Sequence, residues 1–89
     1  MKQVVVFTMQ GCGHCQHFKG MLNESKIEFH DRDINQYPDE YEMFKKAKND
    51  LVPAFMVIDE DNTDNSELFA ADLDFKTLEE ALNLIKQRI

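Results

Sequence analysis

Long apolar runs, a surplus of basic residues and cysteines beyond one pair are all missing from this sequence, and each absence excludes a class of protein. The longest apolar runs, residues 4–7 and 54–58, fall far short of the ~20 residues that span a bilayer. Seventeen acidic residues against ten basic ones give a formal charge of −7, which repels nucleic acid and anionic membrane surfaces. Two cysteines this close in sequence enclose too short a loop to serve as a disulfide scaffold.

Glycine and proline are also scarce, which excludes fibrous and disordered chains. Only 3 Gly and 2 Pro accompany 43% hydrophobic and 30% charged residues, the composition of an ordinary folded domain. The apolar side chains of 89 residues suffice for one small core, so we expect residues 1–89 to form a single domain. Residues 1–20 lack the basic and long apolar regions of a secretory signal, which favours a cytoplasmic location.

The first half of the chain alternates between strand and helix patterns. Residues 2–8 form a β-branched and aromatic run, typical of a central strand that is covered on both faces. From Cys15 the apolar positions recur at helical spacing, which predicts a helix with the cysteine pair at its start. Alternation over residues 27–34 predicts a half-exposed strand near a sheet edge. Pro38 suits the first turn of a second helix, and two of its aromatic residues are expected to face inward: Tyr41 and Phe44.

The second half of the chain predicts a hairpin and a closing helix. Residues 54–58 and 67–71 indicate the two strands of the hairpin, and the polar residues 59–65 indicate the turn between them. Asp74 is the predicted N-cap of the last helix. The inward face of that helix is expected to carry six apolar residues: Phe75, Leu78, Ala81, Leu82, Ile85 and Ile89.

These elements follow the order β-α-β-α-β-β-α, which restricts the topology. A strand, helix and strand in succession form a right-handed crossover between parallel strands, whereas the two strands of a hairpin are antiparallel. The sequence therefore predicts an α/β fold with a four-stranded mixed sheet and three helices, placed on both faces of the sheet.

The segment Gly11-Cys12-Gly13-His14-Cys15 lies where the first strand passes into the first helix. Unpaired backbone N–H groups and the dipole at a helix N-terminus stabilise a thiolate, the form of cysteine that attacks disulfides. Cys15 lies one turn inside the helix, where it is shielded yet close enough to form an internal disulfide with Cys12. The segment therefore predicts Cys12 as the nucleophile and Cys15 as the resolving residue.

Two features of this segment stay open on the sequence alone. A partly protonated His14 would favour the Cys12 thiolate if its ring faced the sulfur, whereas an exposed His14 without a partner would have no such role. The cysteines could also be an inert buried pair, although the flanking glycines and the helix start argue against that interpretation.

Metal sites are the competing interpretation of the cysteines and of the acidic turn. A C-x-x-C pair is half of many zinc sites, but only His14, His17 and His30 could supplement it, and the first two share one helix turn. Residues 59–64 lack the central glycine and distal glutamate of a calcium loop, and a solvated acidic turn accounts for them. We therefore expect no metal site.

Val52-Pro53 directly precedes the apolar strand that begins at Ala54. A proline inside a strand would interrupt the hydrogen-bond ladder, so its place at the strand entrance is informative. The sequence alone does not decide between a cis and a trans peptide bond at Pro53.

Three features occur together in this chain: the C-x-x-C after the first strand, the Val-Pro before the third strand and the order of the elements. With them the whole chain resembles a glutaredoxin of the thioredoxin superfamily. This resemblance implies a thioredoxin-like fold in which Pro53 is cis and lies against the active-site disulfide. It also implies that Val52 offers its backbone to a cysteine-containing substrate in a strand-like manner. We place Gly11 and Gly13 in the same substrate-binding site.

The glutaredoxin family binds the γ-glutamyl end of glutathione at the start of the last helix, after a Gly-Gly pair and an acidic residue. Residues 70–74 match that segment, and the resemblance implies that the backbone amides of Asp72, Leu73 and Asp74 hold a carboxylate. This sequence departs from the family's lysine, two glycines and acidic residue at four positions: Met9, Ala70, Ala71 and Leu73.

The resemblance implies a disulfide reductase that takes electrons from glutathione, or from a flavoprotein reductase, and passes them to a protein disulfide such as that of a ribonucleotide reductase. We expect a monomer with glutathione as electron donor and no tightly bound cofactor. The four departures favour one alternative, a thioredoxin-like reductase that does not use glutathione. A second alternative is a dimer that shares an iron–sulfur cluster through Cys12 and glutathione. The sequence Cys-Gly-His-Cys is better known from disulfide isomerases. No tryptophan precedes Cys12 in this chain, however, and its absence points away from a disulfide isomerase domain.

Overall fold

The sheet and helices follow the order that the sequence predicts. A computed structural model describes residues 2–62 and 65–89. The strands in these ranges are β1 (Lys2–Thr8), β2 (His30–Asp33), β3 (Ala54–Asp59) and β4 (Glu67–Phe69). The helices are α1 (Gly13–Glu24), α2 (Pro38–Ala47) and α3 (Leu78–Lys86).

The strand order across the sheet is β2-β1-β3-β4. β1 pairs in parallel with β2 and antiparallel with β3, and β3 pairs antiparallel with β4. This arrangement confirms the predicted mixed sheet, with β1 in its interior and β2 at an edge. The carboxyl ends of β1, β2 and β4 and the amino end of β3 therefore meet at one end of the sheet, which we call the active-site end.

Instead of the one small core expected from the length, two hydrophobic cores lie on opposite faces of the sheet, because successive side chains of β1 point to opposite faces. Val4 and Val6 pack into the core under α1 and α3, whereas Phe7 packs into the core under α2. Tyr41 and Phe44 of α2 face inward, as predicted, and are 8% and 2% exposed. Helices thus cover both faces of the sheet.

β2 is shorter than the strand predicted over residues 27–34, because the chain leaves α1 through a tight turn. Lys26 adopts a left-handed φ of 58°, and the Ile27 N–H donates to the Leu22 carbonyl at 2.9 Å. Ile27 is buried in the core with Leu22 and lies outside the sheet. The alternation of residues 27–29 therefore reflects the packing of a helix exit, and the prediction of a strand there is wrong.

The hairpin of β3 and β4 places Phe55 opposite Phe69. The predicted turn over residues 59–65 includes residues 63 and 64, which lie outside the described residues. β4 ends at Phe69, two residues before the predicted end, because the Ala70 N–H donates to the Asp74 carboxylate at 2.8 Å and leaves the ladder.

α3 begins at Leu78, and its N-cap is Thr77, so the prediction of Asp74 as the N-cap is wrong. The Thr77 side chain accepts a hydrogen bond from the Glu80 N–H at 3.1 Å, which satisfies one of the free donors at the helix start. Two of the six predicted inward residues lie outside the helix: Phe75 is buried before it begins, and Ile89 is 57% exposed after it ends.

Candidate active site

Cys12 and Cys15 lie at the active-site end of the sheet, where β1 passes into α1. Cys12 is the N-cap of α1 and Cys15 is in its first turn, so the predicted placement of the pair at a helix start is confirmed. A disulfide joins the two residues, with their Cα atoms 5.2 Å apart. The described structure is thus the oxidised form of the pair.

The two cysteines differ in exposure and in hydrogen bonding. Cys12 is half-buried, whereas Cys15 is 0% exposed. The Cys15 N–H donates to Cys12 Sγ at 3.1 Å, and the Gln16 N–H donates to the Cys12 carbonyl at 3.2 Å. One amide of the first turn of α1 therefore donates to the sulfur of the more exposed cysteine.

The turn before Cys12 depends on a glycine. Gly11 has a φ of 79°, a left-handed conformation that side chains disfavour, and the Cys12 N–H donates to the Met9 carbonyl at 3.2 Å. Gly13 is the first residue of α1 and is exposed. Both glycines lie beside Cys12, where the sequence places the substrate.

His14 is exposed in the first turn of α1. In residues 2–62 and 65–89 its ring forms no hydrogen bond to either cysteine sulfur. His17 and His30 are exposed as well. A role of His14 in stabilising the thiolate stays a prediction.

The loop before β3 brings a second element to the same end of the sheet. The Val52-Pro53 peptide bond is cis, as the resemblance implies, and Pro53 is buried while Val52 is half-buried. The Tyr41 hydroxyl donates to the Asp50 carbonyl at 2.7 Å and so attaches this loop to α2. Burial, with the charge of Asp50 adding to it, raises the pKa of Tyr41, so the hydroxyl keeps the proton that it donates.

Residues 70–74 form a turn after β4, which corrects their predicted place at the start of the last helix. The Asp72 N–H donates to the Phe75 carbonyl at 2.9 Å, and the Leu73 and Asp74 N–H groups donate to the Ala70 carbonyl at 3.3 and 2.9 Å. Asp72 has a left-handed φ of 68°. Because these three amides already have acceptors within the turn, they differ from the free amides of a helix N-terminus.

Metal-binding side chains are dispersed over the part of the chain that the structure describes. No group of three or more His, Cys, Asp or Glu residues in that part is placed to hold a metal ion. None of the described helices is long and apolar enough to cross a membrane.

The comparisons with known proteins agree with this geometry. The sequence profile of the family described as Glutaredoxin matches residues 4–61, which is more than half of the chain. The chain belongs to the glutaredoxin family. No curated protein matches this glutaredoxin in sequence.

A solved structure with a similar fold is the germline-specific thioredoxin protein Deadhead (Thioredoxin-1) from Drosophila melanogaster. It has a TM-score of 0.60 and 16% sequence identity, and the match covers 99% of this chain and 81% of that chain. At this identity the similarity supports the thioredoxin-like fold alone. Family, fold and cysteine spacing together support a thiol-disulfide oxidoreductase.

Sequence reasoning missed the residues that connect the two loops of the site. Asn49 Nδ2 donates to the Ala71 carbonyl at 2.8 Å, and Asn49 Oδ1 accepts from the Leu51 N–H at 3.2 Å. Lys48 Nζ lies 3.1 Å from Asp74 Oδ2. No local pattern marks these contacts, because each joins residues from different parts of the chain.

Proposed function

We propose that this glutaredoxin reduces disulfides by dithiol exchange, with Cys12 as the attacking residue and Cys15 as the resolving residue. The contrast in exposure between the two cysteines carries the proposal, since Cys15 is 0% exposed and Cys12 is half-buried. Only a sulfur that the substrate reaches starts the exchange, and only a sulfur next to it completes the exchange.

The start of α1 supports a stable thiolate at Cys12. The Cys15 N–H lies 3.1 Å from Cys12 Sγ, and a helix N-terminus favours negative charge. The same environment makes Cys12 a good leaving group when the internal disulfide is reduced again. We further propose that His14, which is exposed beside Cys12, adds to this stabilisation when it is protonated.

The exchange proceeds in two balanced steps. The Cys12 thiolate attacks one sulfur of the substrate disulfide, whose S–S bond breaks, and the other substrate sulfur leaves as a thiolate. Cys15 then loses its proton and attacks Cys12 Sγ in the mixed disulfide, which releases the second substrate thiolate. The substrate gains two electrons, takes up two protons as a dithiol, and leaves the Cys12–Cys15 disulfide behind.

The backbone of Val52 is available to hold the substrate. Within residues 2–62 and 65–89 neither its N–H nor its carbonyl has a hydrogen-bond partner. An extended segment can pair with such a backbone in the manner of an added strand. This supports Val52 and the buried Pro53 as substrate-binding residues.

Glutathione is the electron donor that membership of the family favours, and we propose a protein disulfide, such as that of a ribonucleotide reductase, as the acceptor. Two molecules of glutathione would supply the two electrons that reduce the Cys12–Cys15 disulfide. The second candidate is a thioredoxin-like reductase served by a different donor. It is favoured by Met9 and Leu73, which are exposed at 40% and 60% and carry no charge for a glutathione carboxylate.

The mixed disulfide of glutathione and 2-mercaptoethanol tests the proposal. The wild type, Cys12→Ser and Cys15→Ser are compared, with glutathione, glutathione reductase and NADPH as the source of electrons. We expect turnover by the wild type and by Cys15→Ser, because this reaction needs one attacking thiolate. The turnover of the Cys12→Ser variant is expected to fall to the uncatalysed rate.

Each variant is checked for folding by far-UV circular dichroism, and the two serine variants serve as matched controls for each other. Turnover by Cys12→Ser would overturn the assignment of the nucleophile. Inactivity of both the wild type and Cys15→Ser, with each protein folded, would favour the second candidate. Reduction of a protein disulfide by the wild type with a flavoprotein reductase would then identify the donor.

A further inference from the structure

The loop of residues 49–52, which leads to the cis bond of Pro53, is held in place by side chains. In the part of the chain that the structure describes, its backbone forms no hydrogen bond to another backbone group. The Tyr41 hydroxyl donates to the Asp50 carbonyl, and the side-chain amide of Asn49 makes the other two contacts of the loop. The position of this loop therefore depends strongly on one residue, Asn49.

The Asn49 amide uses its oxygen and its nitrogen for different purposes. Oδ1 accepts from the Leu51 N–H at 3.2 Å, a local turn that fixes the backbone just before Val52. Nδ2 donates to the Ala71 carbonyl at 2.8 Å and so reaches the turn that follows β4. An amide carries both an acceptor and a donor, whereas an ionised carboxylate of the same shape carries acceptors alone. Asn49 thus shapes the loop and also attaches it to the turn.

The turn that follows β4 is itself firmly held. The Ala70 N–H donates to the Asp74 carboxylate at 2.8 Å, and the next residue, Phe75, is 4% exposed in the larger core. Lys48, the neighbour of Asn49, adds a second attachment, because its Nζ lies 3.1 Å from Asp74 Oδ2. Two consecutive residues therefore connect the loop to a turn that is anchored in the core.

Val52 lies directly beside the part of the loop that Asn49 fixes. Its backbone is free to pair with an extended segment of a substrate. Backbone hydrogen bonds need N···O distances of about 2.7–3.2 Å and good alignment, so a small displacement of the loop would weaken them. A small disulfide has no such segment, and it reaches Cys12 without this pairing.

We infer that Asn49 is a positioning residue for extended protein substrates, because its contact with Ala71 holds the Val52 backbone where such a segment pairs with it. This inference rests on the proposed function, since the segment must carry a disulfide that reacts with Cys12. Asn49 acts through Val52 and leaves the exchange itself unchanged. In every case the substrate disulfide gains two electrons and two protons, and the protein dithiol becomes the Cys12–Cys15 disulfide.

Two neutral, symmetric disulfides of different size provide the test. One is the disulfide-linked dimer of a linear peptide with a single central cysteine and no net charge, and the other is bis(2-hydroxyethyl) disulfide. The wild type, Asn49→Asp and Asn49→Ala are reduced with dithiothreitol, desalted and mixed with increasing concentrations of each disulfide. Acid quenching, alkylation and mass spectrometry give the rates.

The two variants remove different contacts. Asn49→Asp keeps an oxygen for the Leu51 N–H and loses the donor to the Ala71 carbonyl, whereas Asn49→Ala loses both. With the peptide dimer, we expect both variants to need about tenfold more substrate for the half-maximal rate, which corresponds to about 1.4 kcal/mol. The limiting rate should stay within about twofold of the wild type, since the loss affects binding and not chemistry.

The same variants should reduce bis(2-hydroxyethyl) disulfide at rates within about twofold of the wild type, because this substrate makes no pairing with Val52. Asn35→Asp is the matched control for the added charge. Asn35 is exposed in the turn before α2, and its side chain forms no hydrogen bond within the described residues. The control should keep the wild-type values for both disulfides. The ultraviolet absorbance of the Cys12 thiolate, followed against pH, should be the same in all four proteins.

Circular dichroism and urea unfolding establish that the variants are folded, and Asn49→Asp, which keeps the shape of the side chain, remains the test if Asn49→Ala unfolds. An equal loss with both disulfides, or wild-type behaviour of Asn49→Asp with the peptide dimer, would overturn the inference and leave the proposed function intact. Lower stability with unchanged rates would overturn it too, because the role of Asn49 would then be structural. Failure of the wild type to reduce either disulfide would overturn both, and the glutathione mixed-disulfide assay would show that second failure independently.

Discussion

Cys12 and Cys15 are the same type of residue, three positions apart, but their surroundings differ. Cys12 lies outside the first turn of α1, where an amide donates to its sulfur. Cys15 is buried by the packing that places α1 on the sheet. In the proposed exchange, exposure decides which sulfur attacks and proximity decides which one resolves.

Phe55 lies in the larger core, under α1 and α3, where it is near three other aromatic rings. Its ring centroid lies 4.8 Å from that of Phe69, 5.6 Å from Phe75 and 5.8 Å from Phe18. It therefore connects β3 with β4, with α1 and with the segment before α3. Phe55→Ala is expected to lower the free energy of unfolding by about 3–5 kcal/mol, the usual cost of such a cavity.

Urea unfolding of the oxidised protein measures this loss, and Phe55→Leu should show a smaller one because more of the volume is kept. Met43→Ala is the matched control, since Met43 is 73% exposed and its truncation should change the free energy by less than about 0.5 kcal/mol. A loss below about 1 kcal/mol for Phe55→Ala would contradict this view of the core.

At the site, the sequence predicts the residues that belong to a contiguous motif. Cys12 and Cys15 are found by their spacing and Pro53 by its place before an apolar strand. Asn49 and Leu51 are not found, because their importance arises when a loop meets the turn of residues 70–74. Contacts between segments distant in the sequence have no local pattern to reveal them.

At the scale of elements, helices and buried strands follow from periodicity, whereas their ends depend on side-chain contacts. The observed bounds of β1 and of the start of α2 agree with the predicted ones, because both depend on local signals. These signals are the buried apolar run of β1 and the proline at the start of α2, Pro38. The start of α3 is missed because Asp74 and Thr77 are both acceptable caps. Tertiary structure decides between them, since Asp74 binds the Ala70 N–H and Lys48 instead.

One carboxylate of β2 bonds to side chains of both α1 and β1. Asp31 accepts hydrogen bonds from Lys19 Nζ at 2.8 Å and from the Thr8 hydroxyl at 2.5 Å. Burial alone would raise the pKa of Asp31, but the hydrogen bonds from Lys19 and Thr8 and the charge of Lys19 outweigh it and lower the pKa. The ionised carboxylate therefore stabilises the folded protein.

Because the pKa of Asp31 is lower in the folded state than its ordinary value of 3.8, its contribution is complete above that pH and lost as the pH falls through the folded value. Asp31→Asn should therefore lower the melting temperature at pH 7, and this difference should shrink below about pH 4. We expect Asp31→Asn to lower the free energy of unfolding by at most about 1 kcal/mol, since the ion pair of Lys19 and Asp31 is partly exposed.

Thermal unfolding followed by circular dichroism between pH 3 and pH 7 measures this effect. Glu28→Gln is the control, because it removes an exposed carboxylate from the loop before β2. A difference between wild type and Asp31→Asn that grows as the pH falls would show that the carboxylate destabilises the fold.

At the scale of the whole molecule, charge acts on every encounter with a small disulfide. The formal charge of −7 belongs to a molecule whose longest dimension is 31 Å, about the Debye length of roughly 30 Å at 0.01 M salt. The Debye length falls from about 30 Å at 0.01 M salt to about 8 Å at 0.15 M. At low salt the protein therefore repels anionic disulfides and attracts cationic ones before any contact forms.

Three small disulfides of different charge test this effect on the reduced protein at pH 7. Between 0.01 and 0.15 M salt, the rate constant should rise several-fold for anionic glutathione disulfide and fall several-fold for cationic cystamine, because salt screens both interactions. Neutral bis(2-hydroxyethyl) disulfide is the control and should change by less than about twofold. Stopped reactions analysed by alkylation and mass spectrometry give the three rate constants. An equal response of all three would mean that salt acts on the thiolate chemistry at Cys12, and that the acidic surface has no part in choosing which disulfides reach it.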